Sequence, residues 1–191
     1  MSTTTNPTQF AFLSRILHWL MAILIVAMLF IGVSMVSSLG DYHSLVAIHR
    51  PLGILILILA VIRLVTRLSN PTPPLPATVV PLERVVVKFS EALLYTLFIA
   101  LPLVGWAMLS AGHYPIVMFG SIHLPPILPA KPELYATLRK THTVLAYLLF
   151  LTFLAHMSAV LFHTFILRDG LLKRMVPWTP RASARTDASS H

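Results

Sequence analysis

The chain has 191 residues, of which 57% are hydrophobic and 10% are charged, whereas a soluble domain carries about 25% charged residues. This composition predicts an integral membrane protein, and the absence of cysteine excludes disulfides, cysteine-ligated iron–sulfur clusters and covalently attached c-type haem. The net charge of +8 comes from basic residues at the ends of apolar runs, which favours contact with lipid headgroups and argues against nucleic-acid binding.

Four apolar segments follow one another along the chain, at about residues 13–36, 45–68, 82–110 and 134–167. Each reaches the roughly 20 residues that a helix needs to cross a bilayer, and a helix satisfies its own backbone in lipid. We therefore predict an all-α fold, an integral membrane bundle of four transmembrane helices that forms one domain over residues 1–177. Residues 178–191 are predicted to be a disordered C-terminal tail.

The connections between these segments differ in character. "SSLGDY" predicts a short turn, and the proline-rich "SNPTPPLPATVVP" ends the second helix. "AGHYPIVMFGSIHLPPILPAKPE" is long and apolar, so we expect it to fold back over the end of the bundle.

Lysine and arginine predict the orientation of the bundle. With the N-terminus inside, ten of the 14 basic residues fall on the inner side and four on the outer side, namely Arg50, Lys131, Arg139 and Lys140. This bias predicts that both termini are cytoplasmic. The apolar core of the first segment is longer than that of a signal peptide, so we interpret it as a retained helix.

Histidines inside the apolar segments are the main candidates for metal ligands. His142 and His156 are 14 residues apart, which places them on one helix face and about 21 Å apart along the axis. His49 lies near the outer start of the second helix and can face His142. His18 lies near the inner start of the first helix and can face His156, although His163 fits the same depth. Two imidazole pairs at two depths suit two b-type haems, each with two histidine ligands.

The same interval of 14 residues recurs on the other helices. It separates His18 from Gly32 and His49 from Arg63. A glycine at the depth of one haem allows the porphyrin to approach the backbone, and Gly53 could clear space for the outer haem in the same way. Arg63 could contact a propionate of the inner haem.

Two alternatives compete with haem binding. A lone histidine in a membrane helix can simply hydrogen-bond to a neighbouring helix. A zinc site is a further alternative, but zinc prefers ligands gathered in one tetrahedral cluster, and ligands about 21 Å apart cannot share a metal.

Several segments together resemble the bacterial cytochrome b-561 family of di-haem membrane proteins. They are "SRILHWL", "IHRPLGILILILAVIRLVTRL", "NPTPP", "LLYTLFIALPLVGW", "KTHTVLAYLLF" and "LAHMSAVLFHTFILRDGLLKRM". The resemblance implies that His18, His49, His142 and His156 bind the haems, and it favours His156 over His163. It also implies a multi-pass protein of the bacterial inner membrane.

Within that family the resemblance is to the superoxide oxidase type, which implies electron transfer from superoxide at the periplasmic side to ubiquinone. A wider kinship implies the alternative of a cytochrome b subunit that links a partner dehydrogenase or hydrogenase to the quinone pool. The third hypothesis is a structural or metal-transport bundle without haem.

Charged residues near the two proposed haems suggest where substrates bind. Arg50, Arg139 and Lys140 could concentrate superoxide at the outer end, or could contact propionates or lipid phosphates. Around the inner haem the quinone candidates are Ser14, Arg63, Arg67, Ser90 and Glu91. Glu91 departs from the histidine found there in many relatives, and it could relay protons or form a salt bridge with Arg63 or Arg67.

Overall fold

The computed structural model describes residues 9–38, 40–74, 79–118 and 120–177. It contains four long helices, α1 (Phe12–Ser37), α2 (Tyr42–Ser69), α3 (Pro81–Ala111) and α4 (Pro132–Leu161), and α4 continues as a π-helical turn over Phe162–Leu167. All four are long and apolar enough to cross a membrane, so the predicted four-helix membrane fold is confirmed. The predicted tail at 178–191 lies outside the described residues.

The beginnings of α3 and α4 follow from proline chemistry. Pro81 and Pro132 occupy the first helical turn, where a missing N–H leaves no hydrogen bond unmade and the fixed φ suits a helix. At α3 the Glu83 carboxylate also accepts a hydrogen bond from the Val80 N–H at 3.1 Å. These local signals set the position at which each helix enters the bundle.

The bundle packs consecutive helices against each other, α1 on α2, α2 on α3 and α3 on α4. A core of Leu97, Leu101 and Leu149 lies between α3 and α4. Large apolar side chains such as Phe30 and Leu151 are exposed on the helix faces that point away from the bundle core. An apolar exterior is what a lipid solvent requires, because lipid tails are as apolar as these side chains.

We call the end that holds the start of α1 the inner end, and the opposite end the outer end. The long segment between α3 and α4 covers the outer end as a small antiparallel hairpin, β1 (Ile116–Met118) and β2 (Ile122–Leu124). Gly120 adopts a φ of 77° in the turn, a conformation that glycine tolerates best. Trp106 of α3 donates its indole N–H to the Pro125 carbonyl at 3.0 Å, which fixes the hairpin to the bundle.

The inner end is covered by the C-terminal segment, which we define as residues 168–177. The Arg15 guanidinium donates to the Val176 carbonyl at 2.8 Å, and the Trp19 indole N–H donates to the Met175 carbonyl at 3.0 Å. Both donors belong to α1, so this segment is held across the end of the bundle beside His18.

Candidate functional site

The first histidine pair lies at the inner end. The ring centres of His18 in α1 and His156 in α4 are 6.5 Å apart, with the ring planes inclined at 63°. A metal held between two imidazole nitrogens by bonds of about 2 Å separates the ring centres by roughly 6 Å. The spacing of this pair therefore fits one metal centre with two histidine ligands.

The second pair lies at the outer end. The ring centres of His49 in α2 and His142 in α4 are 6.2 Å apart, at an interplanar angle of 68°. The Nδ1 atoms of both rings are buried and make no close hydrogen bond to any described residue, although the Leu101 carbonyl lies beside His142. The spacing of this pair, like that of the first, fits one metal centre with two histidine ligands.

Three glycines lie at about the depth of the outer pair, as their positions along α1, α2 and α3 indicate. A Cβ atom at Gly32 would meet nothing within 4 Å, and one at Gly53 would meet only the Met28 methyl group at 3.8 Å. A Cβ atom at Gly105 would lie 3.4 Å from Cε1 of His142. Gly105 thus allows the His142 ring to lie against the α3 backbone, while Gly32 and Gly53 leave room for a planar group.

The remaining histidines within the described ranges do not form a third site. No three His, Cys, Asp or Glu side chains gather around a common point within the ranges that the structure describes. The candidate ligands therefore occur as two pairs, which suits an axially ligated planar cofactor better than a tetrahedral zinc ion.

His163 has a different neighbour from His156. Its Nδ1 lies 2.6 Å from Oδ2 of Asp169, and the Leu171 N–H donates to the other oxygen of that carboxylate at 3.1 Å. Burial raises the pKa of Asp169, but these hydrogen bonds outweigh burial and hold the pKa below its ordinary value. His163 is thus engaged with the C-terminal segment, and His156 is the residue that faces His18.

An inner polar cluster lies beside the first pair. Arg63 of α2 donates to the Ser14 carbonyl at 3.2 Å and lies 3.0 Å from Nδ1 of His18. Its guanidinium carbon is 5.8 Å from the ring centre of Tyr95 in α3. Since a guanidinium only donates hydrogen bonds, Nδ1 of His18 is the acceptor in this contact.

The carboxylate of Glu91 is paired with Arg67. Arg67 Nε lies 2.8 Å from Glu91 Oε1, and Arg67 Nη2 lies 3.3 Å from Oε2. The structure thus brings Glu91 together with Arg67 and not with Arg63. Both side chains are partly exposed, at 29% and 39%, so the pair marks the edge of the inner polar cluster.

Tyr95 is a further residue of the inner polar cluster that the sequence alone does not single out. Its hydroxyl is buried, and the Arg63 guanidinium beside it can donate to its oxygen but cannot accept its proton. A usable signal was present, because Glu91 and Tyr95 are four residues apart on α3 and Arg63 and Arg67 are four apart on α2. Residues at that spacing share a helix face, which predicts two opposed pairs.

The three basic residues of the outer end that are predicted to concentrate an anion fall into two groups. Arg50 donates to the Pro115 carbonyl at 3.3 Å, so the residue just before β1 holds the Arg50 side chain at the outer end. Arg139 and Lys140 are exposed and line a shallow, open groove of about 520 Å³ together with Tyr135 and Tyr147. That groove is formed by α4 alone and includes neither histidine of the outer pair.

Comparison with known proteins identifies a family and several relatives. The family described as prokaryotic cytochrome b561 matches residues 9–178. "Cytochrome b561 homolog 2" of Escherichia coli (strain K12) is 32% identical over 180 residues, covering 92% of this chain and 95% of the relative. "Probable superoxide oxidase CybB" of Yersinia pestis is 32% identical over 166 residues, covering 84% and 92%. "Cytochrome b561 homolog 1" of E. coli is 28% identical over 169 residues, covering 84% and 93%.

Proposed function

Because the chain belongs to the prokaryotic cytochrome b561 family, we propose that it oxidises superoxide at the outer face of the bacterial inner membrane and reduces ubiquinone through two b-type haems. Family membership indicates an electron-transfer protein that binds haem b. The specific donor is proposed from the relative named as a probable superoxide oxidase. The observation that carries the proposal is the presence of two imidazole pairs at opposite ends of one bundle.

Four histidines would hold the cofactors, His18 with His156 at the inner end and His49 with His142 at the outer end. A haem held by each pair of imidazoles would supply one-electron redox chemistry. Ring separations of 6.5 Å and 6.2 Å support this assignment. The room beside Gly32 and Gly53 supports the placement of a porphyrin close to the backbone.

Arg63 would change partner when His18 binds iron. If His18 held the iron through Nε2, its ring proton would lie on Nδ1, and Arg63 could not accept that proton. Arg63 would then donate to another acceptor, for which a haem propionate has the right charge. Its place beside His18, 3.0 Å from the ring nitrogen, supports this role.

At the outer end, Arg50, Arg139 and Lys140 would attract the superoxide anion. Among the described residues, none of the three forms a salt bridge, so their positive charge is not neutralised locally. A field of one sign over a binding surface raises the encounter rate of small anions. Two superoxide anions would supply two electrons and leave as dioxygen.

At the inner end, the polar cluster between α2 and α3 would bind the quinone. Ser14, Arg63, Arg67 and Glu91 surround this region, and the two electrons with two protons would convert quinone to quinol. Intramembrane charged residues are costly and are usually functional, which supports this placement.

Purified protein tests the proposal directly. We expect an optical spectrum of b-type haem, a ratio of two haems per chain, reduction of both by superoxide, and reoxidation by ubiquinone. A colourless protein prepared with ample iron and porphyrin would contradict the proposal. A protein that carries haem, ignores superoxide and copurifies with a dehydrogenase would instead support the electron-transfer-subunit hypothesis.

A further inference from the structure

We infer that the Tyr95 hydroxyl is the hydrogen-bond donor that positions a carbonyl oxygen of the quinone between α2 and α3. This inference rests on the proposed quinone reduction and adds a residue to it. It begins from the Tyr95 hydroxyl, which is buried and has the Arg63 guanidinium beside it. Because a guanidinium only donates hydrogen bonds, the proton of the hydroxyl has no acceptor among the described residues.

The surroundings of Tyr95 form two levels across the α2–α3 interface. At the level nearer the inner surface, Arg67 contacts both carboxylate oxygens of Glu91. One turn deeper, Arg63 lies beside the ring of Tyr95. Tyr95 is therefore the α3 side chain that lies deepest in the inner polar cluster, on the side toward His18.

The other polar groups of this cluster already have partners. Arg67 engages Glu91 through Nε and Nη2, while Arg63 donates to the Ser14 carbonyl and contacts His18. The Tyr95 oxygen can accept a hydrogen bond from the neighbouring Arg63, but its own proton finds no acceptor there, because a guanidinium has no lone pair to offer. The unmet requirement of the cluster is therefore a hydrogen-bond acceptor.

A quinone carbonyl meets that requirement. Its oxygen is an acceptor without a proton, and the flat ring that carries it is apolar enough to enter a site between membrane helices. The partly exposed Arg67–Glu91 pair lies one turn nearer the inner surface. Quinone would thus enter from the lipid side of the α2–α3 interface and place one carbonyl at Tyr95.

The test compares Tyr95→Phe with Tyr42→Phe in the purified holoprotein. Tyr95→Phe removes the hydroxyl and keeps the ring beside Arg63. Tyr42→Phe removes the same group from an exposed residue at the outer start of α2. The measurements are haem content, haem reduction by superoxide, the KM for a short-chain ubiquinone, and the infrared carbonyl band of bound, isotope-labelled ubiquinone.

We expect Tyr95→Phe to raise the KM for quinone roughly three- to tenfold, the range for loss of one hydrogen bond to a bound carbonyl. The carbonyl band should shift to higher frequency, while haem content and superoxide-driven reduction stay at the wild-type level. Tyr42→Phe should match the wild type in all four measurements.

Three other outcomes are informative. If the wild type reduces quinone and Tyr95→Phe changes neither KM nor the carbonyl band, the inference is overturned and the proposed function stands. If Tyr95→Phe loses haem or alters the haem spectrum with quinone binding intact, the hydroxyl serves the cofactor and the inference is overturned as well. If the wild type itself neither binds nor reduces quinone, the acceptor half of the proposed function fails, and Tyr95 loses its role with it.

Discussion

Arg67 and Glu91 form a two-point contact between α2 and α3, with nitrogen–oxygen distances of 2.8 and 3.3 Å. Both residues sit in apolar helices, where an unpaired charge is unfavourable. The contact gives each charge its counter-charge and fixes the register of α2 against α3 near the inner end.

Separating this pair should destabilise the bundle. In a double-mutant cycle with Arg67→Gln and Glu91→Gln, we expect a coupling free energy of about 1 kcal/mol, since the pair is partly exposed and screened. Unfolding of the purified single and double variants in detergent measures this coupling. Additive effects of the two substitutions would contradict a stabilising interaction.

Replacement of the paired histidines should remove haem one site at a time. We expect His18→Ala or His156→Ala to reduce the haem-to-protein ratio from two to about one, and the same for His49→Ala or His142→Ala, because each iron would lose an axial ligand. His163→Ala is the matched control and should retain both haems, since its ring contacts Asp169. Loss of haem from His163→Ala, with retention in His156→Ala, would show that His163 and not His156 is the inner ligand.

Gly32 provides a test that is independent of the ligands. The protein itself leaves space at this position, as no atom lies within 4 Å of a Cβ there, so Gly32→Leu should preserve helical content. If a porphyrin lies against this backbone, the added side chain should lower haem content at the outer site. Gly40→Leu, where a Cβ also meets nothing within 4 Å, should leave both haems in place. Full haem content in Gly32→Leu would show that Gly32 does not line the outer haem site.

Charge reversal at the outer end should slow the reaction with superoxide. For Arg139→Glu with Lys140→Glu we expect a several-fold lower rate of superoxide consumption and a weaker dependence of that rate on salt, because steering by charge is screened by ions. Lys88→Glu, at the inner start of α3, is the control and should keep both properties. An unchanged rate in the outer variant would show that these two residues do not guide the anion.

The His163–Asp169 contact should make the free energy of unfolding depend on pH. The pKa of Asp169 is lower in the folded protein than its ordinary value, so the ionised carboxylate stabilises the fold above about pH 4, and that contribution disappears as the pH falls through the folded pKa. Asp169→Asn should therefore unfold more readily than the wild type at pH 7, and the difference should shrink below about pH 4. Melting curves of both proteins across this range measure the effect, and a difference that does not vary with pH would refute it.

Much of the architecture could be predicted because a helix that crosses the hydrocarbon layer must have a minimum length and an apolar surface. Length and apolarity alone indicate four helices, and their bounds in the structure lie within three residues of the predicted ones when the π-helical turn is counted as the end of α4. The depth of each histidine follows from a constant rise per residue, and the structure brings His18 to His156 and His49 to His142.

Features that depend on packing between helices could not be predicted in the same way. Arg63 and Arg67 lie on the same face of α2, so either could pair with Glu91 on the basis of sequence. Only the relative position of α2 and α3 decides between them. The hairpin of β1 and β2 has strands of three residues, too short for an alternation signal. The contact of His163 with Asp169 depends on the π-helical turn, whose sequence "FHTFIL" has no distinctive marker.

The uninterrupted course of α4 has an electrical consequence. His142 and His156 are separated by 14 residues of regular helix, or about 21 Å, which is roughly two-thirds of a hydrocarbon layer of about 30 Å. In the proposed orientation, an electron that moves inward over this distance does work against an inside-negative voltage, about 1.6 kcal/mol for each 100 mV. A large membrane potential would therefore oppose inward electron transfer, and loss of the potential would remove this opposition.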